Sequence, residues 1–195
     1  MKENPDQITL TEEERLFLLN LARDSIEEAL NGREHSPIDR SNLSDRLNKL
    51  GVCFVTLTIN GELRGCVGAL EAYQPLVDDV QEHAVAAAFN DFRFPPLTAS
   101  EFPDISIEIS CLTPPEVLEY EHPGDLLNIL KPDNGVILKY QGRRATFLPQ
   151  VWENLPEAEE FLCHLCQKMG VDPYLWRYRK MLVQIYRVEK FHEER

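Results

Sequence analysis

One short segment of the sequence combines a nucleophile, a cation and two glycines, namely Leu63-Arg64-Gly65-Cys66-Val67-Gly68. Residues two apart on a β-strand project from the same face, so Arg64 and Cys66 are predicted to lie side by side. A neighbouring guanidinium stabilises a thiolate, which would make Cys66 a nucleophile or a soft metal ligand. Arg64 or backbone N–H groups would then orient an anionic substrate. Glycine weakens a strand interior unless something approaches the backbone closely, and Gly65 and Gly68 provide that space.

The same segment is also compatible with a purely structural role. Free cysteine is among the most buried residue types, so Cys66 would pack as a small apolar side chain. The glycines would then form a β-bulge or let two subdomains pack closely. A strict two-residue loop in the preceding hairpin would pair Cys66 with Val55 and Arg64 with Leu57, which places both on the apolar face. An arginine buried there needs a carboxylate partner.

A second candidate segment, residues 91–97 with the sequence DFRFPPL, places opposite charges among aromatic residues directly after a predicted helix. Its plain interpretation is a helix terminator with a local ion pair between Asp91 and Arg93. In the functional interpretation, Asp91 or Glu101 pairs with Arg64 and forms the wall of a pocket beside the thiol. Both interpretations remain open at the level of the sequence.

The remaining cysteines and histidines do not form a recognisable metal motif. The sequence Cys163-His164-Leu165-Cys166 looks like half of a zinc site, but no second pair follows at metal-ligand spacing. Cys166 shares the apolar side of its predicted helix, which favours core packing. His83, in the middle of a helix, is a conceivable general base for Cys66, although a single helical histidine is more often a surface or core residue. We predict no metal site and no cofactor, because phosphate-loop, serine-elbow and zinc-protease motifs are absent.

Composition excludes several classes of function. Twenty basic and thirty-three acidic residues give the 195-residue chain a net charge of −13. This charge opposes binding to a phosphate backbone, so no nucleic-acid partner is predicted. No stretch approaches the ~18 consecutive apolar residues of a membrane helix, and the first ten residues do not resemble a signal peptide. The five cysteines lack the spacing of a disulfide framework and are interpreted as reduced thiols, which predicts a cytoplasmic protein without a membrane association.

Hydrophobic periodicity predicts an α+β fold. Most neighbouring strands are joined by tight turns, of which Asn60-Gly61 is the strongest, so the sheets should be mainly antiparallel. A capping box formed by Thr11 and Glu14 starts the first helix, which Asn31-Gly32 ends. The other predicted helices cover residues 44–49, 75–89 and 156–168, with a weakly helical segment at 125–130, and the predicted strands cover 52–59, 62–70, 105–111, 135–140, 143–148 and 181–188.

Four ordered motifs, LRGCVG, DFRFPPLTASE, ISIEIS and RRATFLPQVW, together resemble the AMMECR family, whose prokaryotic members are called AmmeMemoRadiSam system protein A. The resemblance extends over residues 10–190. The family's LRGCIG hallmark is matched with Val67 in place of isoleucine. The other matching positions are those of the D-x-RFPPL and LP-x-V elements: Asp91, Arg93, Phe94, Pro95, Pro96, Leu97, Leu148, Pro149 and Val151.

The resemblance implies a single domain over residues 10–190 after a polar tail at 1–9. It implies two subdomains, each with a mainly antiparallel sheet flanked by helices, the larger built from both termini and the smaller inserted. No settled activity follows from it. The system name implies association with a Memo-like protein, which resembles metal-dependent dioxygenases, and with a radical SAM protein, an argument by association only.

Two functional hypotheses follow. In the first, the protein acts with those partners and binds a substrate or partner segment in a groove around the LRGCVG motif. In the second, it is a stand-alone enzyme in which Cys66 is the nucleophile and Arg64 orients the substrate. The other residues expected to line the groove are Leu63, Gly65, Val67, Gly68, Asp91, Arg93, Phe94, Pro95, Pro96 and Glu101.

Overall fold

The computed structural model describes residues 9–33 and 36–194. The predicted polar tail at 1–9 therefore lies outside the described residues except for its last position. The elements in chain order are α1 (Glu12–Leu30), α2 (Asp45–Asn48), β1 (Leu50–Ile59), β2 (Glu62–Gly68), β3 (Gln74–Pro75), α3 (Leu76–Phe89), β4 (Ile105–Leu112), β5 (Glu116–Val117), α4 (Leu126–Ile129), β6 (Gly135–Tyr140), β7 (Arg143–Phe147), α5 (Ala158–Lys168), β8 (Leu182–Tyr186) and β9 (Val188–His192).

The chain divides into two compact units, each with its own sheet and core. The first unit runs to Leu112 and includes the chain from Glu189 onward, and the second unit is Thr113–Val188. The sheet of the first unit has the order β2-β1-β4-β9, with β3 also paired to β1, and the second sheet has the order β5-β8-β6-β7. Helices with antiparallel sheets confirm the predicted α+β class.

Helices α1 and α3 pack on one face of the first sheet. Alternate residues of β1 and β4, such as Val55 and Ile107, are fully buried in the same core cluster as Ile26 of α1 and Ala84 of α3. The predicted capping box is present, since the Glu14 N–H donates to Thr11 and the Glu14 carboxylate accepts from the Thr11 N–H. Because both helices cover the same face, residues at the other positions of these strands lie on the opposite face.

The first hairpin turns at the predicted residues but continues in a different register. Asn60 and Gly61 both have positive φ, as a type I′ turn requires. Leu63 is opposite Thr58 and Gly65 is opposite Leu57, so Arg64 is an additional residue in a β-bulge. The register predicted from a regular ladder is therefore wrong.

The bulge changes which residues face each other beyond it. Cys66 pairs with Thr56, and the predicted pairing with Val55 is made by Val67 instead. Spacing by two no longer places Arg64 and Cys66 on one face, because the additional residue interrupts the alternation. The bulge itself was one of the two structural interpretations of the glycines.

The second unit packs α5 against its own sheet. Phe161 of α5 is fully buried and stacks on Trp152 with ring centroids 3.9 Å apart. Cys166 is also fully buried, which confirms the core interpretation of the Cys-His-Leu-Cys sequence. The second hairpin turns at Gln141 and Gly142, both with positive φ, as predicted.

The last predicted strand is two strands. The segment 181–188 was expected to be continuous, but β8 ends at Tyr186 and β9 begins at Val188, and they pair in different sheets. Alternation of apolar residues shows which side of a strand is buried and does not show which sheet the strand joins. Within the described residues, no helix is both long and apolar enough to cross a membrane.

Candidate functional site

The backbone of Cys66 is held by the second candidate segment. β2 lies at the edge of its sheet, so one side of its backbone has no neighbouring strand among the residues that the structure describes. The Cys66 N–H donates to Oδ2 of Asp91 at 2.8 Å, and the Cys66 carbonyl accepts from Nη2 of Arg93 at 3.2 Å. Asp91 and Arg93 thereby take the place of a partner strand at this residue.

The two residues that hold Cys66 also bind each other. Oδ1 of Asp91 accepts from the backbone N–H and from Nε of Arg93, and Oδ2 accepts from Nη2. The Asp91 side chain is only 4% exposed, and its hydrogen bonds with Arg93 hold the pKa of its carboxyl well below the usual range, aided by the Cys66 N–H. The carboxylate is therefore ionised, and both of its oxygens accept hydrogen bonds from within the protein.

The side chain of Cys66 is half-buried on the sheet face opposite the helices. Its Sγ accepts a hydrogen bond from the Thr56 hydroxyl at 3.3 Å. The neighbouring cation is Arg93: pairing with Asp91 raises the pKa of this guanidinium, and the Cys66 thiol contributes to the same shift. The expectation that Arg64 is the cation beside the thiol is replaced by this arrangement.

Arg64 is buried and pairs with a carboxylate, one of the two predicted for it. Its Nε and Nη2 donate to the two oxygens of Glu101 at 2.9 and 3.2 Å. These bonds, together with those from Thr98, lower the pKa of Glu101 to about 2. The remaining nitrogen, Nη1, is buried without a hydrogen-bond partner among the described residues, and the guanidinium lies 5.9 Å from the centre of the Phe94 ring.

The glycines of the motif allow close approaches within the first unit. A Cβ on Gly65 would lie 2.1 Å from the carbonyl oxygen of Ala87 in α3, and one on Gly68 would lie 2.4 Å from the ring of Phe54. Both contacts are too short for any larger residue. The close packing occurs between β2, its neighbour strand and α3, and Val67 packs against the same core.

Apolar side chains are exposed on the two segments that are joined at the backbone of Cys66. Phe92, between the two residues that hold Cys66, is 95% exposed, and Leu63 on β2 is 44% exposed. Pro95 and Pro96 are exposed on the same loop, whereas Leu97 is buried. We call the exposed parts of Leu63, Cys66, Phe92, Pro95 and Pro96 the Cys66 surface. The sequence singled out the charged residues of this loop, and no pattern in it marked Phe92 as the exposed aromatic residue.

The structure places His83 away from Cys66. Nδ1 of His83 lies 3.2 Å from Oδ2 of Asp79 and 3.9 Å from Sγ of Cys53. All three side chains are buried, so the hypothesis that His83 is a base for Cys66 is replaced by a separate cluster on the helix-covered face. The sequence did indicate two of these three residues as neighbours, since Asp79 and His83 are four residues apart and share one helix face.

The sequence and the fold have counterparts in known proteins. The family model described as AMMECR1 matches residues 19–191. The chain belongs to the AMMECR1 family. It is 38% identical over 191 residues to a protein of Methanothermobacter thermautotrophicus, with 95% of this chain and 97% of the relative covered. It is 39% identical over 188 residues to a protein of Methanocaldococcus jannaschii, with 92% and 89% covered.

A solved structure supports the same assignment. The crystal structure of an uncharacterized protein from Pyrococcus horikoshii is similar to this AMMECR1 chain with a TM-score of 0.75 and 33% sequence identity, covering 95% of this chain and 94% of that one. The family resemblance inferred from the motifs is thus confirmed. In this AMMECR1 protein the LRGCVG and DFRFPPL segments, 25 residues apart at Cys66 and Asp91, form one hydrogen-bonded unit.

Proposed function

We propose that this AMMECR1 protein is a binding protein that engages Memo-like and radical SAM partner proteins through the Cys66 surface. The observation that carries the proposal is the position of Phe92. Its ring is 95% exposed, while Asp91 and Arg93 on either side are bonded to each other and to the backbone of Cys66. An aromatic side chain that is exposed on a hydrogen-bonded loop buries almost none of its area within this chain and is suited to insertion into a partner.

Rigidity of the loop supports binding. The Phe94 N–H donates to the Asp91 carbonyl at 3.0 Å and the Leu97 N–H donates to the Ala88 carbonyl at 2.8 Å. The two prolines between them restrict the backbone further. Because the loop is already ordered, little conformational entropy remains to be lost when a partner binds.

The alternative, a stand-alone enzyme with Cys66 as nucleophile, receives less support from the site. The side-chain groups that form hydrogen bonds with Cys66 are the Thr56 hydroxyl, the Asp91 carboxylate and the Arg93 guanidinium. The pKa of Asp91 is lowered and that of Arg93 is raised, so neither is a base that titrates near neutral pH. The guanidinium beside a half-buried thiol remains the one observation in favour of this alternative.

The five free cysteines also bear on location. None is paired in a disulfide, and the half-buried Cys66 lies on the surface proposed for binding. These thiols support our proposal that the protein acts in the reducing cytoplasm, where such a thiol persists.

Binding should be measured directly with purified Memo-like and radical SAM proteins encoded in the same genome. Phe92→Ala should weaken binding of at least one of them by about 30-fold, the equivalent of about 2 kcal/mol, because a buried aromatic anchor is lost. Tyr178→Ala is the matched control, since Tyr178 is an aromatic residue that is 74% exposed in the second unit. It should leave the affinity unchanged.

Two results would contradict the proposal. The first is that neither partner binds the unaltered protein at micromolar concentration; the second is that Phe92→Ala binds as well as the control variant. Cys66→Ser separates the alternatives further, because a stand-alone enzyme would lose turnover by the isolated chain, whereas a binding protein has no turnover to lose.

A further inference from the structure

Three different metal-ligating side chains converge in the interior of the first unit. Cys53 comes from β1, and Asp79 and His83 come from successive turns of α3. Their exposures are 0%, 0% and 5%, and one ligand atom of each lies within 4.8 Å of the other two. The cluster is on the helix-covered face of the sheet, separate from the Cys66 surface.

The three possible ligand atoms face one another. Nδ1 of His83 lies 3.2 Å from Oδ2 of Asp79 and 3.9 Å from Sγ of Cys53. A ring nitrogen, a sulfur and a carboxylate oxygen, each able to donate an electron pair to a metal ion, are therefore neighbours in a buried site.

A divalent cation placed between them would accept an electron pair from each of the three atoms at once. Tetrahedral zinc, with bonds of about 2.0–2.3 Å, separates its ligand atoms by roughly 3.3–3.7 Å. The two distances from Nδ1 of His83, 3.2 Å to Asp79 and 3.9 Å to Cys53, are close to this range, and the third distance is within 4.8 Å.

The charges also balance. The thiolate of Cys53 and the carboxylate of Asp79 contribute two negative charges, His83 is neutral, and the ion contributes two positive charges. A site with no net charge is the least costly one to bury. Because a thiolate is the metal ligand, binding must release the proton of the Cys53 thiol.

The ligand set and its surroundings select the kind of ion. Thiolate sulfur with imidazole nitrogen and one carboxylate oxygen suits Zn²⁺ and other borderline ions, and disfavours Mg²⁺ and Ca²⁺. The carboxylate is already oriented, because Oδ2 of Asp79 accepts from the Cys53 N–H at 2.8 Å and Oδ1 accepts from Nε2 of Gln74 at 3.4 Å. The ring of Tyr73, which is 55% exposed, lies edge-on to His83 with centroids 6.5 Å apart, so the site is one side chain below the surface.

We propose that Cys53, Asp79 and His83 form a binding site that holds one Zn²⁺ ion through three protein ligands. The ion would connect β1 to α3. It leaves the Cys66 surface untouched, so the proposal is independent of the function proposed above.

The test is a titration of chelator-treated protein with Co²⁺, which replaces Zn²⁺ in such sites and reports a bound thiolate by a charge-transfer absorption band. One equivalent should produce the band, Zn²⁺ should displace it, and Mg²⁺ should not. Release of one proton for each ion bound should be measurable with a pH indicator in weak buffer.

Variants identify the ligands. Cys53→Ser should abolish the band, and Asp79→Asn and His83→Gln should each weaken binding by about 100-fold or more. Cys111→Ser is the matched control, because Cys111 is a buried cysteine directly opposite Cys53 on β4 and is outside the three-residue cluster. Cys111→Ser and Cys66→Ser should both bind Co²⁺ as the unaltered protein does.

Three results of the Co²⁺ titration would contradict the proposed site. The unaltered protein would give no band, the band would persist in Cys53→Ser, or the band would be lost in Cys111→Ser or Cys66→Ser. If Cys53→Ser fails to fold, X-ray absorption of the Zn²⁺-loaded unaltered protein decides the question. One sulfur with nitrogen and oxygen ligands supports the proposal, and two or more sulfurs, or none, contradict it.

Discussion

Oδ2 of Asp91 accepts the backbone N–H of Cys66 at 2.8 Å, which joins the LRGCVG and DFRFPPL segments. Asp91 lies in the loop after α3, and its bond occupies the free edge of β2 at Cys66. Arg93 adds a second bond at this edge by donating to the carbonyl of Cys66. The charged residues of the loop therefore act chiefly on the position of the thiol, and Phe92 is the side chain they leave exposed.

Removal of this carboxylate should destabilise the fold. Asp91→Ala leaves the Cys66 N–H and the Arg93 guanidinium without their acceptor, and we expect a loss of about 3 kcal/mol in the free energy of unfolding. Urea denaturation measures it. Asp104→Ala, at an exposed aspartate of the same unit, should change stability by less than about 0.5 kcal/mol. Equal stability of the two variants would show that the Asp91 bonds contribute nothing net.

The free energy of unfolding should decrease in acid because the carboxylates of Asp91 and Glu101 become protonated. The pKa values of both are lowered by folding, so their contribution is complete above the ordinary values of 3.8 and 4.5 and is lost as protons bind. The loss should begin as the pH falls below about 5 and continue to about 2 for Glu101 and lower still for Asp91. Urea denaturation at a series of pH values follows it.

A variant identifies the Glu101 part of this acid sensitivity. Glu101→Gln should flatten the profile between its ordinary pKa and about 2, because the side chain no longer binds a proton on unfolding. Glu62→Gln, at an exposed glutamate of β2, is the control and should keep the steeper profile. An unchanged slope in Glu101→Gln would mean that the ion pair with Arg64 does not contribute to acid sensitivity.

The glycine at the bulge should not tolerate a side chain. Gly65→Ala places a Cβ against the Ala87 carbonyl oxygen, so β2 and α3 must separate, and we expect a loss of about 3 kcal/mol measured by urea or heat denaturation. Gly124→Ala is the control, because a Cβ there meets nothing within 4 Å and φ is not positive. A Gly65→Ala protein as stable as the control would contradict the close approach.

Cysteine alkylation should distinguish the two arginines. Cys66 is half-buried, whereas burial raises the pKa of Cys111 to about 12, so Cys66 should react much faster at neutral pH. Because Arg93 is the cation beside it, Arg93→Gln should slow the reaction by about 3- to 10-fold. Arg64→Gln should not, provided that circular dichroism shows the variant to be folded. Peptide mass spectrometry gives each rate, and slowing by Arg64→Gln alone would favour the arrangement expected from residue spacing.

Family and fold class were both predictable from the sequence, whereas the site was predictable only in part. The motif residues were identified, and so was the need of Arg64 for a carboxylate, which Glu101 supplies. The cation beside Cys66 was assigned to Arg64, and the structure places Arg93 there. The error arose because spacing by two applies to a regular strand, and Arg64 is the additional residue of a bulge.

The sequence by itself determined the features that depend on neighbours within a few residues. They include the capping box of α1, the Asn60-Gly61 turn and the alternation along β4, since hydrogen bonds and side-chain directions at these separations are set by local backbone geometry. Only the tertiary structure decided the bond between Asp91 and Cys66 and the convergence of Cys53 with His83. Both depend on strand register and on how α3 packs, which sum many weak contacts between distant residues and are not encoded in any short stretch of sequence.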